Sequence, residues 1–594
     1  MKFASFLRTL GALSSLNAVL AEPIPAAARA VASPVVDLGY SKYQGYLDSN
    51  YSVNVFKGIR YAAAPVGKLR WQAPQAPVKN ATIISAAEDP PICPQSGAAG
   101  TPPAYGFNSG PGDEDCLFLN VYAPPNAKNL PVFFWIHGGG YALFSAQGLN
   151  AGPMIQENGG NFITVVIQYR LGAFGFLSSP DVKASGTLNA GLLDMNFALQ
   201  WVQKYIQKFG GDPSRVTIGG ESAGAGAVMY QAMAYGGKDK TLFQNIIAAS
   251  PWVPSVYTYS DPVPVTHYKA FAKAAGCASA KSVFQCLVKA DTAALQNASG
   301  TVSESGAFGT FAFLPVIDGS FIQQRPTVQL LTKKLQGKRI LSGNNANEGV
   351  PLSPPDVTTE QGFLDYVDTT FPSFTKSDVS SLQDEYAYAG DHSSVDPKDP
   401  VFDTLGDTGP TAVNQSGFAT GQQQRLFNVF AESTFVCPSY WLAEAFSEAW
   451  KYQYSVVPAY HGADLSAYWS DGASVPGTSF IHAFQKIWGS FITQNSPVIS
   501  VADAKDGLAN ATVPVGGYGQ INWPKYTPQN PNMMSLNTTG GVVTPVVVTD
   551  HLKYNVVLEP GITNSFKLVN ARSWEGGRGD RCNWWKSVAA KVPV

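Results

Sequence analysis

The segment Val216-Thr217-Ile218-Gly219-Gly220-Glu221-Ser222-Ala223-Gly224 constrains this chain more than any other. A β-branched run enters Gly-x-Ser-x-Gly, and an Ala/Met-rich stretch follows. A strand that turns at once into a helix crowds the two backbones together, so only small side chains fit on either side of the turning residue. The hydroxyl at the apex is held above the carboxyl end of the sheet, the arrangement called a nucleophile elbow. Ser222 is therefore a candidate nucleophile, and the chain must contain a sheet to carry it.

Other runs supply that sheet. Val132–Ile136, Phe162–Gln168, Val216–Ile218, Arg339–Leu341 and Tyr452–Val457 are apolar, β-branched or aromatic and bounded by turn residues, the pattern of buried strands. Between two of them, Leu193, Phe197, Trp201, Val202 and Ile206 recur at helical spacing and predict a helix over Leu192–Phe209. Strands alternating with helices imply an α/β protein with a doubly wound sheet, whose ligands bind outside the carboxyl ends of the strands. The 594 residues hold 57 Gly and 42 Pro, which favours turns and excludes a helical bundle or coiled coil. A charge of −2, with 14% charged residues, lacks the basic footprint of a nucleic-acid binder and the high charge of a disordered chain.

A nucleophile needs an oxyanion site, a base and an acid. Trp135-Ile136-His137-Gly138-Gly139-Gly140-Tyr141 follows a strand with consecutive glycines that let backbone N–H groups approach a substrate. It matches the HGGG-type oxyanion loop, and the N–H groups of Gly139, Gly140 and Ala223 are the expected donors. His137 belongs to that loop; His267, His392, His482 and His551 lie in no strand-to-loop context. His461, in Tyr460-His461-Gly462, follows a strand and precedes a turn, and is the candidate base. In this order of elements the acid lies between Ser222 and His461. Glu348, after the strand at Arg339 and before Gly349, is one candidate among several acidic residues.

The amino terminus reads Met1-Lys2-Phe3, Arg8, an apolar run Leu10–Leu20, then Ala21-Glu22. This order predicts a secretory signal peptide over 1–21, followed by an Ala/Pro-rich disordered lead-in over 22–34 and one large domain over 35–594. No later stretch is long and apolar enough to span a bilayer. Secretion agrees with N-x-S/T sequons at Asn50, Asn80, Asn297, Asn414, Asn510 and Asn537. It also agrees with six cysteines. Short spacing suggests Cys93 with Cys116 and Cys277 with Cys286, leaving Cys437 and Cys582. No CxxC spacing supports a zinc site. Neither metal nor cofactor is expected, and the oligomeric state is not legible.

Together, GESAG, the His-Gly-Gly-Gly loop, Glu114-Asp115-Cys116-Leu117-Phe118-Leu119-Asn120-Val121, Phe56-Lys57-Gly58-Ile59-Arg60-Tyr61, Asn189-Ala190-Gly191-Leu192-Leu193-Asp194, Asn347-Glu348-Gly349, His461-Gly462 and Trp523-Pro524-Lys525-Tyr526-Thr527 resemble the type-B carboxylesterase/lipase family, which includes cholinesterases and fungal lipases. The resemblance covers almost the whole chain in family order. It implies an α/β-hydrolase fold, with a central, mostly parallel sheet flanked by helices in a single large domain. It implies a Ser222, Glu348, His461 triad, bridges Cys93–Cys116, Cys277–Cys286 and Cys437–Cys582, a structural ion pair of Arg70 with Glu114, and an acyl pocket that includes Phe311 and Phe313.

The implied activity is that of a secreted serine esterase acting on small-molecule esters of short or medium acyl chain, or on bulky soluble ones. A lipase or sterol esterase acting on long-chain lipid esters is the alternative. The family also holds adhesion proteins that have lost the nucleophile, but here all three triad positions are filled. Residues 94–115 contain Tyr105 and Phe107 but no Trp of the kind that cholinesterases present to choline. In similar lipases this loop is a long amphipathic lid. Here Gly97, Gly100, Gly106, Gly110 and Gly112 with Pro94, Pro102, Pro103 and Pro111 disfavour a helix, and Asp113, Glu114 and Asp115 crowd its end.

Overall fold

The computed structural model describes residues 33–238, 241–387, 413, 416–473, 475–549 and 552–592. The expected signal peptide, nearly all of the lead-in, Asn414, His392 and His551 lie outside the described residues.

Among the described residues, the sheet anticipated from the elbow has eleven strands. Their spatial order is Thr563–Asn570, Asn532–Thr539, Glu448–Tyr454, Arg339–Asn345, Asn245–Ala249, Gly211–Glu221, Leu130–Ile136, Ile163–Ile167, Phe118–Ala123, Val53–Arg60 and Tyr46–Asp48. From Asn532–Thr539 to Ile163–Ile167 every neighbour is parallel, and the strands outside that block are antiparallel. The elbow strand lies inside the parallel block, where both faces are covered and strands read as continuous apolar runs. Along Leu130–Ile136, Phe134 and Ile136 join one buried cluster with Val165, Ile167, Ile218 and Ile246. Phe133 and Trp135 join the cluster on the other face, with Val166, Ile247, Leu341 and Trp450. The alternation is the period of two that a pleated strand imposes.

The predicted helix is present as Ala190–Tyr205, continued by a tighter turn over Ile206–Phe209 that ends at Gly210 in the left-handed region. The elbow strand, Gly211–Glu221, is longer than its apolar run, the strand at Arg339 continues to Asn345, and one strand is displaced. The run Tyr452–Val457 belongs to Glu448–Tyr454, displaced toward the amino terminus. Glu448 and Lys451 break the apolar pattern that marks a strand, yet Lys451 is fully buried and donates to Asn344 Oδ1 at 2.8 Å and Ser439 Oγ at 2.7 Å.

The periphery is fastened covalently and by charge. All three expected disulfides form: Cys93–Cys116, Cys277–Cys286 and Cys437–Cys582. Arg70 and Glu114, both buried, make a two-pronged pair at 2.7 and 2.6 Å. The loop between Cys93 and Cys116 carries one short helical turn, Pro103–Tyr105. It is pinned to the helix Thr292–Glu304: Gln296 exchanges two hydrogen bonds with the Gly112 backbone, Ser303 donates to Gly97 O, and Ser109 N–H donates to Glu304. Among the described residues no helix is long and apolar enough to cross a membrane.

Candidate active site

The elbow strand ends at Glu221, Ser222 turns, and the helix Ala223–Met233 begins at the next residue. Ser222 has φ 59° and ψ −126°, a strained conformation for any residue but glycine. Three hydrogen bonds hold it. Its N–H donates to Ala249 O, and its carbonyl accepts from Gly226 and Trp252 N–H. The flanking glycines are dictated by space, since a Cβ on Gly220 would stand 2.3 Å from the carbonyl carbon of Gly224, and one on Gly224 2.1 Å from Ile136 O.

Beyond the neighbouring strand Asn245–Ala249, the next two parallel strands bring up the partners. Glu348 lies in the turn after Arg339–Asn345, and His461 follows the turn after Glu448–Tyr454. His461 Nε2 is 2.8 Å from Ser222 Oγ, and Nδ1 is 2.6 Å from Glu348 Oε2. The other carboxylate oxygen, Oε1, accepts from Ser250 Oγ and Asn345 N–H, each at 2.5 Å. The acid thus has its orientation set by donors on two strand ends, and Ser222, Glu348 and His461 form one hydrogen-bonded chain from three separated segments.

On the far side of Ser222, Gly139 and Gly140 have φ 94° and 63°. A Cβ at Gly139 would meet Leu143 O at 2.3 Å, and one at Gly140 the Phe311 ring at 2.3 Å. Among the described residues the N–H groups of Gly139, Gly140 and Ala223 donate to no acceptor. Three free backbone donors near a serine at an elbow are the kind of arrangement that can hold a developing oxyanion. His137 is stacked 4.5 Å from Tyr169, and burial pushes its pKa down to about 4, so it stays neutral in the loop. Phe311, against Gly140, also meets Trp252 edge-on at 5.7 Å. Phe313 packs instead against Phe271 and His267.

Further carboxyl groups face His461 that reading the motifs did not single out. Glu221, the variable residue of the elbow itself, has Oε1 at 3.5 Å from His461 Nε2, and Asp464 lies a turn beyond the histidine. Burial raises both Glu221 and Asp464 above the ordinary carboxylate range and the facing imidazole pulls them partly back down, so their titration is shared with His461. Burial alone would lower His461, but Glu221, Glu348 and Asp464 together hold it above its usual value. Ser250 and Trp252 were also missed. Their only sequence signal is their place directly after the strand Asn245–Ala249. Among the described residues no group of His, Cys, Asp and Glu could hold a metal ion.

A mostly parallel sheet with a serine elbow, an acid and a histidine after the carboxyl ends of parallel strands defines an α/β-hydrolase. The family model described as "Carboxylesterase family" matches residues 32–554, and the chain belongs to that family. Its relatives include carboxylesterase patB of Penicillium expansum, 29% identical over 93% of this chain and 96% of the relative. Lipase 4 of Diutina rugosa is 30% identical over 82% of this chain and 89% of its own length. Among solved structures, EstA of Aspergillus niger aligns with TM-score 0.74 at 27% identity, covering 95% of this chain and 99% of EstA. The protein is a carboxylic-ester hydrolase.

Proposed function

We propose that Ser222 is the nucleophile, His461 the general base and Glu348 the residue that orients and stabilises the imidazolium. His461 Nε2 takes the Ser222 proton as Oγ bonds to the ester carbonyl carbon, and the carbonyl oxygen becomes an oxyanion held by Gly139, Gly140 and Ala223 N–H. Collapse expels the alcohol, which takes the proton from His461. Water, deprotonated by His461, then attacks the acyl-enzyme and releases the acid and free Ser222. The observation that carries this reading is the unbroken hydrogen-bonded chain from Ser222 Oγ to Glu348 beside three unengaged N–H donors.

The substrates proposed are dissolved esters of short or medium acyl length, with Phe311 beside Gly140 as a wall of the acyl site and Phe313 as a candidate behind it. The support is the loop 94–115, which is short, non-helical and pinned to its neighbour rather than free to swing as a lid. The proposed route is secretory, with residues 1–21 as signal peptide. Three disulfides support it, as does similarity to relatives such as a secreted triacylglycerol lipase of Gibberella zeae. Asn50, Asn80, Asn297 and Asn510 are exposed and Asn537 is half-buried, so these are the proposed glycan acceptors among the described residues. Rates on p-nitrophenyl esters from acetate to palmitate, for wild type and Ser222→Ala, test the reading. The expected maximum lies at butyrate to octanoate, and activity is lost in the variant; a maximum at palmitate would favour a lipase.

A further inference from the structure

The helix Gly421–Ala431 does not run smoothly into Cys437–Ala445. Between them Glu432–Val436 form a π-helical turn, which carries an extra residue and so rotates the side chains that follow. Its effect is local: the fully buried ring of Phe435 lies 4.1 Å from the His461 imidazole, centroid to centroid, with the planes 35° apart.

The turn is anchored on several sides. Fully buried Glu432 accepts from Arg581 at 2.7 Å through both oxygens, from Arg578 at 3.1 Å and from the Tyr386 hydroxyl at 2.7 Å. Arg578 also donates to Ala346 O, two residues before Glu348. Thr434 O accepts from Val253 N–H, next to the Trp252 N–H that bonds Ser222. Immediately after the turn, Cys437 is bonded to Cys582, on the same helix as both arginines.

We infer that this π-helical turn is a positioning element for the reacting histidine, with Phe435 packed on the imidazole face and the Arg578–Arg581 helix clamping the turn through Glu432. The inference rests on the proposed role of His461. Glu348 fixes one edge of the imidazole but leaves the ring free to rock about that edge; a flat ring on its face removes the freedom. The π-face also favours the imidazolium formed during each proton transfer. Phe435 acts through His461 and touches no reacting atom of the ester.

The test uses the full-length secreted protein with p-nitrophenyl butyrate, comparing Phe435→Leu, Phe435→Met and Phe435→Tyr, with sites counted by exhaustive fluorophosphonate labelling. In Leu and Met variants kcat per site should fall about tenfold or more with KM within about twofold, as expected for a misplaced catalytic group. Their acidic limb of kcat against pH should move to lower pH, because Glu221, Glu348 and Asp464 still face His461 while the π-face is gone. Phe435→Tyr should restore both. Unchanged kcat with a coincident pH profile in a folded Leu or Met variant would overturn the inference. The wild type offers a second readout that needs no stable variant. In 13C-histidine-labelled protein, with the resonance assigned by its loss in His461→Asn, the Cε1–H signal of His461 should carry an upfield ring-current shift, and its absence would also overturn the inference. An inert wild type or an active Ser222→Ala would instead refute the hydrolase reading, so the two failures are distinguishable.

Discussion

Replacing Gly140 by Ala isolates the proposed oxyanion loop from the proposed triad. The new methyl group would stand 2.3 Å from Phe311 Cε2 and 2.5 Å from Cζ, and φ is 63°, where an L-residue costs about 1–2 kcal/mol. The loop must move or the phenyl ring must leave. If the Gly140 donor is displaced, the loss is that of one oxyanion contact, ~2.7–4 kcal/mol or roughly 10²–10³ in kcat. The obstruction is a side chain, so it can be removed. Gly140→Ala combined with Phe311→Ala should recover most of the loss relative to Phe311→Ala alone, leaving about tenfold for the backbone strain. At Gly139 the obstruction is Leu143 O, a backbone atom, and no side-chain deletion should rescue Gly139→Ala. The assay is initial-rate hydrolysis of p-nitrophenyl butyrate with sites counted by titration. A Gly140→Ala enzyme within threefold of wild type, or no recovery in the double variant, would show that the Gly140 N–H and its contact with Phe311 do not set the rate.

Other outcomes follow from the same geometry. His461→Ala should lose several orders of magnitude in turnover while Glu348→Gln loses less, because the glutamate orients rather than transfers a proton; steady-state kinetics on both proteins decides it. The base acts when neutral and its folded pKa is raised, so the acidic limb of kcat/KM should lie above the ordinary histidine value and hydrolysis should rise as pH rises through it. Glu221→Gln removes a carboxyl 3.5 Å from Nε2 and should move that limb to lower pH; an unmoved limb would contradict the assignment. Glu114→Gln leaves the buried Arg70 charge without its partner and should lower unfolding free energy by about 3–5 kcal/mol, read as a drop in Tm with kcat retained in the folded fraction. Hydrolysis should follow a saturation curve with no rate jump as tributyrin passes its solubility limit, since the 94–115 loop is fastened to Gln296 and Ser303.

What the sequence made legible is what local sterics impose. The glycines around Ser222 and in the 138–140 loop are demanded by contacts between neighbouring backbones, so they read as motifs. The apolar runs in the parallel block read as strands because both of their faces are buried. Glu348 could be narrowed by order along the chain, but only the resemblance selected it, because its partners Ser250 and His461 arrive from other strand ends. Glu221 stood in plain view inside the elbow, yet its exposure to His461 depends on a strand end more than two hundred residues away. Phe435 and Lys451 were invisible for opposite reasons. A phenylalanine in an apolar helix reads as core until a π-turn rotates it onto an imidazole, and a lysine reads as surface until Asn344 and Ser439 are found to satisfy it.

Ser222 is proposed to carry the acyl group, and a fluorophosphonate reports on it directly. After reaction to completion and digestion with trypsin, which cuts after Arg215 and Lys238, mass spectrometry should find one phosphonyl group per chain, on the peptide 216–238. Ser222→Ala should take up none, and His461→Ala should label far more slowly than wild type. Equal labelling of Ser222→Ala, or a phosphonyl group on any other peptide of an active enzyme, would contradict the account.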